Sequence, residues 1–560
     1  TATLQDDSQA KHTLHLLIAD GETNKLHIAN GGLIIDSNTG RIQHGVINIA
    51  GTGTISAGEQ FSASYSAEHA RDGIPGSISH SKDPKAANFI ELDLKAPSKL
   101  HSIQILNRAD GSGGRLNKTV LKLLGADRTE VHAFSAITGA VNGELLTFVP
   151  PAEKDTAQFV RLEKEADDNH LHIAELKVYE ALEGALGDIE PLENEIIDGV
   201  RVLTFDSINI GKDVPVELNG DLPLSLRTLD GDITIATTLD ASGGSGIQNN
   251  RSKALGRLGG AEGPEGRQWN KEIYLRGNGP GAGYTYQNAG TGASHGGLGG
   301  RMLQRTSNSF EKKNPVPSVH APTYGDREVS KLLGGSSGGS SDRGGGGAGG
   351  GAIELTAGGA GKVTITESGT IRVDGGNATG ENNNSGVPGA GSGGSIRISG
   401  AEVHNNGVLS ARGGVSVRGA FFAKPEGETR GGNGGGGRIA IHSEGAVFAG
   451  NVNVDAGGTR KPGMASLDNT HGGIAQQGTF AIIGNPSATI DVTDGTLTID
   501  TSSASWHHSR GSRGLGQLTE YTATLEGRDW KFKVATFELR SIHIDKNVQV
   551  ILTGGHSLSL

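Results

Sequence analysis

The chain has 560 residues, no cysteine and a formal net charge of −11, which excludes disulfide-stapled folds, thiolate catalysis and cysteine zinc sites. The same charge argues against the basic surface of a nucleic-acid-binding protein. Glycine accounts for 92 residues, 53 of them within residues 251–450, but no Gly-X-Y period runs through this zone and collagen is excluded.

The first predicted unit is an N-terminal β segment over residues 1–56. The chain opens at Thr1 with neither a methionine nor a signal peptide, so we expect a processed or excised product. Helical periodicity is scarce throughout the sequence. The recurring pattern is apolar alternation over four to six residues, ended by Gly, Asn or Asp, which predicts strands and an all-β fold.

The next unit, residues 57–181, has few glycine runs and carries an ordered set of motifs. These are ARDG at 70–73, GSISHS at 76–81, NRAD at 107–110 followed by Arg115-Leu116, and IAELKVY at 173–179. In this order they resemble the discoidin, or coagulation factor 5/8 C-terminal, family, and most closely its fucolectin branch. The resemblance covers about 125 residues and implies a jelly-roll β-sandwich.

Two arginines of this unit suggest sugar recognition. Arg108 and Arg115 flank a glycine-rich turn, and their guanidinium groups offer fixed N–H donors for sugar oxygens. The resemblance implies that His80, Arg108 and Arg115 hold fucose. Gly111-Ser112 replaces the adjacent cysteines of the family and the unit has no tryptophan, so the particular sugar stays open. Alternatively, both arginines are solvated, with Asp110 pairing one of them.

The resemblance also implies a structural calcium ion. Asp72 and Ser77 match positions in the family's calcium loop, and Glu175 matches its closing carboxylate. Calcium takes six to eight oxygen ligands, so backbone carbonyls near Ile74 would have to contribute.

Residues 182–200 are predicted to be a linker, with a short helix as the alternative, and residues 201–485 to be glycine-rich solenoid repeats. Apolar triplets begin at Ile353, Ile396 and Ile439, 43 residues apart, and each is followed by a second alternating strand. Such a unit cannot bury its own apolar face, whereas stacked units can. The pattern therefore predicts a β-solenoid, or β-helix.

A longer repeat predicts that residues 486–560 are a further β segment that begins a second copy. Residues 207–226 (SINIGKDVPVELNGDLPLSL) and 541–560 (SIHIDKNVQVILTGGHSLSL) are identical at 11 of 20 positions without a gap. The end in mid-strand favours a fragment of a longer tandem array. A neighbouring subunit that completes the strand is the alternative, and it predicts end-to-end self-association.

The remaining candidates have structural interpretations. Glycine runs within 295–352 lack the Lys-Ser/Thr that follows a phosphate-binding loop, and we interpret them as tight backbone packing and turns. His295, beside a glycine turn, is predicted to pack. His507 and His508 are adjacent on a predicted strand and point to opposite faces, which disfavours a shared metal ion.

Together these features predict a non-enzymatic bacterial protein, extracellular or on the cell surface, whose β-solenoid stalk displays a carbohydrate-binding module. Its expected partners are a glycan or extracellular polysaccharide and, through end-to-end association, a second copy, with no nucleic acid and no membrane span. One alternative is a β-helical polysaccharide lyase or glycoside hydrolase, whose paired catalytic groups a single sequence does not reveal. The other is a purely structural fibre subunit.

Overall fold

The protein is all-β in its computed structural model. Among the described residues the helical elements are short 3₁₀ turns at Ala67–Ala70, Gly113–Leu116 and Ala152–Lys154, and no helix there is long and apolar enough to cross a membrane. The structure describes residues 2–5, 11–14, 24–62, 65–73, 77–109, 111–165, 169–182, 187–246, 253–266, 276–286, 289–301, 303–304, 321–341, 344–380, 387–418, 429–458, 475–483, 489–492, 494–503, 505–509, 513–515, 517–525, 528–536 and 541–559.

The first fifteen strands comprise an N-terminal group and the strands of the inserted module. The N-terminal strands are β1 Ala2–Gln5, β2 Lys11–Leu14, β3 Lys25–Ile28, β4 Leu33–Asp36 and β5 Ile42–His44. The module strands are β6 Val46–Asn48, β7 Thr54–Ala57, β8 Ser79–His80, β9 Asn88–Leu106, β10 Val120–Leu124, β11 Glu130–Ala133, β12 Leu145–Phe148, β13 Thr156–Lys164, β14 His172–Ile173 and β15 Glu175–Ala181.

The module folds around the long strand β9, which belongs to two layers. Its first half pairs with β13 and β7, and its second half pairs with β15 and β12. Alternate side chains such as Leu92, Ile103 and Ile105 are fully buried between the layers, as the two-residue period of a strand requires. The result is a β-sandwich.

The module begins earlier than the predicted boundary at residue 57. Strand β6 pairs with β15 and strand β7 pairs with β9, so residues 46–57 belong to the sandwich. These pairings join segments that are far apart in sequence, which is why local composition placed the boundary too late.

The strands after the module form the solenoid. They are β16 Gly187–Asp188, β17 Glu193–Ile197, β18 Val200–Phe205, β19 Ser207–Ile210, β20 Val216–Asn219, β21 Leu224–Thr228, β22 Ile233–Ile235, β23 Thr238–Asp240, β24 Thr285–Tyr286, β25 Ala289–Gly290, β26 Leu303–Gln304, β27 Ala352–Ala357, β28 Lys362–Ile365, β29 Thr370–Arg372, β30 Ala378–Gly380, β31 Ser395–Asn405, β32 Val408–Ser410, β33 Ser416–Arg418, β34 Thr429–Arg430, β35 Arg438–Phe448, β36 Asn451–Asn453 and β37 Thr479–Ile483. The predicted linker thus contains β16 and β17, and β17 forms an antiparallel hairpin with β18.

Successive coils of the solenoid stack through parallel strands. Ile353 pairs with Ile396, and Ile396 pairs with Ile439, so the 43-residue spacing is one turn of the solenoid. Strands β23, β29, β32 and β36 stack in the same way in a separate sheet. The paired isoleucines are fully buried and form a continuous apolar core along the stack, as expected for a repeat that cannot bury its apolar face alone.

The glycine runs pack differently from the strands, in what we call the glycine bundle: residues 334–341, 344–351 and 387–394. Three sets of backbone hydrogen bonds join these segments, and within each set the bonds are three residues apart. The N–H groups of residues 335 and 338 donate to the carbonyls of 350 and 347, and those of 347 and 350 donate to the carbonyls of 389 and 392. The N–H groups of 389 and 392 donate in turn to the carbonyls of 339 and 336. Three is the period of a polyproline II helix, which makes no internal hydrogen bonds. A Cβ added at Gly391 would lie 1.8 Å from the Ala348 carbonyl oxygen, so the glycines permit this close backbone packing.

The final strands repeat the geometry of the first coil. They are β38 Thr489–Val492, β39 Thr496–Asp500, β40 Ser505–His508, β41 Arg513–Leu515, β42 Gln517–Leu525, β43 Arg528–Thr536, β44 Ser541–Ile544, β45 Gln549–Thr553 and β46 Ser557–Ser559.

Two hairpins with the same register mark this repeat. Leu33 lies opposite His44 in β4–β5, and Leu497 lies opposite His508 in β39–β40. In both, the histidine Nε2 bonds the carbonyl oxygen 14 residues earlier. The chain between β5 and β16 holds 142 residues, including the module, whereas four residues separate β40 from β41. The module is therefore an insertion at one corner of a repeated unit.

Candidate functional site

Three histidines gather where the short strands β8 and β14 pair. His172 lies directly opposite His80, with ring centroids 5.7 Å apart, and the ring of His170 lies 4.5 Å from that of His80. His172 is fully buried and His80 is 9% exposed. The cluster therefore sits at the rim of the sandwich, with one ring inside and another reaching the surface.

A single carbonyl orients two of these rings. The Ser81 carbonyl oxygen lies 2.7 Å from His80 Nδ1 and 2.9 Å from His170 Nδ1. Because a carbonyl only accepts hydrogen bonds, both Nδ1 atoms must carry a proton. In the neutral ring, Nε2 of His80 is then an unprotonated hydrogen-bond acceptor.

Arg108 joins the cluster from the opposite side. Its guanidinium Nη1 lies 3.1 Å from His172 Nδ1, and since a guanidinium only donates, His172 accepts and is neutral. The side-chain amide of Asn107 holds this loop by donating to the carbonyls of Gly113 and Val141. Arg115 follows on the 3₁₀ turn Gly113–Leu116, which is anchored by the buried Leu116.

The electrostatics keep His80 and His172 neutral. Burial lowers the pKa of His80 to about 4 against the opposing hydrogen bond to Ser81, and the charges of His170, Arg108 and Arg115 lower it further. Burial also drives the pKa of His172 well below its ordinary value, helped by the same arginine charges. At neutral pH the site thus places neutral acceptors beside permanent cationic donors.

Aromatic rings border the cluster at the surface. The Phe61 ring is 5.6 Å from His80 and the Tyr65 ring is 5.7 Å from it. Phe61 is 59% exposed although it is a large apolar residue. Its backbone N–H donates to the His80 carbonyl, which fixes the ring beside the histidine.

The structure brings two of the predicted sugar contacts together, because His80 and Arg108 both contact His172. Arg115 lies on the next turn along the chain, and its charge helps to lower the pKa of both histidines. The sequence reasoning missed His170, His172 and the role of Phe61. An alternating His-Leu-His at 170–172 was visible, and on a strand that spacing places two histidines on one face. Their use for a sugar stays a prediction.

Two of the predicted calcium ligands lie together: the Ser77 hydroxyl donates to the Asp72 carboxylate at 2.7 Å. Glu175 is buried at the start of β15. Oxygen donors of this kind suit calcium, but residues 74–76 lie outside the described residues, and nowhere in the described chain do three acidic or histidine side chains converge as metal ligands. The calcium ion stays a prediction.

The other predicted histidine features have structural placements. His295 is fully buried, stacks on Tyr324 at 4.5 Å and bonds the Gly393 carbonyl. His507 is exposed and its neighbour His508 is buried, so the two point to opposite faces of β40.

No protein-family model matches the sequence, and no curated protein matches it. Among solved structures, the lectin domain of lectinolysin complexed with Lewis B antigen matches with a TM-score of 0.22 and 23% identity, over 24% of this chain and 97% of that chain. A Streptococcus pneumoniae fucose-binding module, SpX-3, matches with a TM-score of 0.22 and 21% identity, over 24% and 96%. The family 32 carbohydrate-binding module of Clostridium perfringens NanJ, in complex with galactose, matches with a TM-score of 0.21 and 23% identity, over 24% and 99%.

Proposed function

We propose that the module over residues 46–181 binds a neutral glycan at the cluster of His80, Arg108 and Arg115. The observation that carries this proposal is a neutral imidazole acceptor beside guanidinium donors, next to an exposed phenylalanine ring. The residue pattern that resembles fucolectins supports the same three positions, with fucose as one candidate sugar.

The chemistry of a sugar fits this arrangement. A hydroxyl group both donates and accepts, so it can donate to Nε2 of His80 and accept from an arginine N–H. Hydrogen bonds to a charged group contribute about 1.5–3 kcal/mol each. The ring of Phe61 offers an apolar surface for the C–H face of the sugar, as small-molecule sites usually combine apolar walls with few polar groups.

The solenoid is the scaffold in this proposal. It carries the module at a corner of one repeated unit, and we propose that it acts as an extracellular stalk on a bacterial surface. Lyase or hydrolase activity is the competing function. Release of reducing ends or unsaturated products from the bound polysaccharide would favour the enzyme.

The test is a glycan array followed by calorimetric titration of the best ligand. Arg115→Ala and Arg108→Lys should weaken binding about 10- to 100-fold, because each removes charge-assisted hydrogen bonds. Phe61→Ala should weaken it about 2- to 10-fold through the lost ring surface.

The matched control is Arg128→Ala. Arg128 is an arginine of the same module that contacts Glu91 and the Phe159 ring instead of the histidines, and its loss should leave the affinity unchanged. Unaltered glycan binding by both Arg115→Ala and Arg108→Lys would contradict the assignment of the site.

A further inference from the structure

Strands β44 and β45 repeat β19 and β20 in their inner contacts, which are those with the preceding strands of the same unit. Ile208 of β19 pairs in parallel with Leu26, and Ile542 of β44 pairs in parallel with Ile490. Strand β20 pairs with β4, and β45 pairs with β39, again in parallel. The two segments therefore occupy the same place in two coils.

The outer contacts of the two segments differ. Strand β22 stacks on β19, with Ile233 opposite Ile208 and Ile235 opposite Ile210, and β23 lies beside β20. Under this cover Ile208, Ile210 and Leu218 are 1%, 0% and 2% exposed. The residues at the same repeat positions, Ile542, Ile544 and Leu552, are 41%, 36% and 62% exposed.

A further apolar residue extends the exposed face. Val550, on the same side of β45 as Leu552, is 44% exposed, so four large aliphatic side chains lie open on two successive strands. We call this the terminal face: Ile542, Ile544, Val550 and Leu552. Contiguous exposed apolar surface of this kind usually marks an interaction site.

We propose that the terminal face is a docking surface for one further coil of the same repeat, with the pattern of residues 229–240. The register of the first copy defines the fit: an Ile-Thr-Ile strand lies parallel to β44, with its isoleucines over Ile542 and Ile544. A leucine on the next strand, the counterpart of Leu239, covers Leu552. Strand addition of this type combines backbone hydrogen bonds with matched side-chain pockets.

The β22 coil of an intact second copy cannot fill this place, because its β22 is already hydrogen-bonded on both sides, to β19 and to β28, and Ile233 and Ile235 are fully buried. Strand β3 ends its sheet, but it carries Leu-His-Ile in place of Ile-Thr-Ile. The occupant that fits the register is an additional stretch of repeat polypeptide. The proposal is independent of glycan binding, because the glycan cluster belongs wholly to the module.

The first test extends the full chain at Leu560 with a copy of residues 227–246. A matched extension replaces the appended counterparts of Ile233, Ile235 and Leu239 with asparagine. Amide hydrogen exchange at residues 541–553 should slow about tenfold or more with the apolar extension and stay at the parent rate with the asparagine extension. Equal exchange in all three proteins would overturn the proposal.

A second test leaves the fold unaltered. A fluorescent peptide of residues 227–242 is titrated into the full chain and into Leu552→Asp, a change at an exposed side chain. Binding that is lost in Leu552→Asp supports the docking surface. Equal binding to both proteins, or a concentration-dependent dimer that Leu552→Asp abolishes, would overturn the proposed occupant, since the latter would mean that a second copy covers the face.

Discussion

Three buried histidines make parts of this protein sensitive to acid. His80 and His172 belong to the proposed glycan site, and His295 lies beside the glycine bundle, where it is fully buried. Burial lowers the pKa of His295 to about 4, against its bond to Gly393 and together with the charge of Arg438. The imidazole ring is therefore neutral in the folded state at neutral pH, whereas in the unfolded chain a histidine has a pKa of about 6.5.

The contribution of neutral His295 to the free energy of unfolding should be complete above about pH 6.5. It should be lost progressively as the pH falls to about 4, because over this range the unfolded state binds the proton more tightly. The shift corresponds to about 3 kcal/mol. His295→Asn retains a donor for the Gly393 carbonyl without titrating. Chemical denaturation should show that His295→Asn has a lower free energy of unfolding than the parent at pH 7. Between pH 7 and pH 4 the free energy of unfolding of the variant should fall less than that of the parent. An identical slope in parent and variant would contradict this role.

Asp72, Ser77 and Glu175 carry the calcium prediction. If the ion binds, calcium at 100 times its dissociation constant should stabilise the module by about 2.7 kcal/mol, seen as a higher Tm with calcium than with a chelator. Asp72→Asn should remove that difference, because a carboxylate ligand is lost, whereas Asp127→Asn, in an exposed turn of the same module, should retain it. No response of the parent chain to calcium would count against the site.

Among the elements, the glycine bundle depends on backbone approach rather than on side chains. Its segments meet so closely that carbonyl oxygens occupy the places where side chains would begin. The neighbouring atoms belong to backbone, which cannot move aside as a flexible side chain can.

Gly391→Ala should therefore destabilise the protein strongly, by more than the 1–3 kcal/mol or so typical of an overpacked core, since its Cβ would meet the Ala348 carbonyl at 1.8 Å. Gly555→Ala is the control, because nothing lies within 4 Å of its Cβ position, and its effect should stay within about 0.5 kcal/mol. Thermal unfolding of both variants checks the difference. Equal Tm values would mean that the bundle adapts its spacing.

A polar contact joins the module to the solenoid. Glu217 of β20 accepts from the Tyr179 hydroxyl at 2.9 Å and pairs with Lys177, both on β15. Burial acts to raise the pKa of Glu217, but the charge and hydrogen bond of Lys177 and the bond from Tyr179 outweigh it and lower that pKa. Burial and the same carboxylate raise the pKa of Tyr179.

Glu217→Ala should cost about 2–3 kcal/mol, because Lys177 loses its partner and the buried Tyr179 hydroxyl keeps only a longer bond to Gln104, at 3.4 Å. Glu217→Gln retains an acceptor for Tyr179 and should cost less. The control is Glu59→Ala, whose pair with Lys82 is largely exposed and is worth at most about 1 kcal/mol. Denaturant unfolding measures all three, and a Glu217→Ala effect no larger than the control would show that the contact does not couple the two parts.

At the scale of the whole molecule, the regularly repeated strands were predictable from the sequence, whereas the contacts between residues far apart in the sequence were not. The 43-residue spacing of Ile353, Ile396 and Ile439 reappears as the register of three stacked strands, because period-two alternation and repeat length are both written locally in a sequence. The 334-residue repeat likewise predicted a second coil, which β44 and β45 form.

Other features depend on contacts that leave no local pattern. Glycine has no side chain to show a periodicity, so the three-residue step of the glycine bundle was invisible in the sequence. Strands β6 and β7 join the sandwich only through partners more than 30 residues away. In the site, Arg108 was predictable from its motif, but its partner His172 lies 64 residues along the chain and became evident only in three dimensions.

The module lies between β5 and β16, and the matching connection between β40 and β41 has four residues. The hairpins that precede the two connections, β4–β5 and β39–β40, have the same register. This corner of the repeated unit therefore accepts inserted segments of very different length without a change in the core. A second module grafted between His508 and Arg513 would make the molecule bivalent. If both modules reached one multivalent glycan surface, avidity could exceed the affinity of a single site by about 10²–10⁴, so the spacing of its corners sets the valency this scaffold can carry.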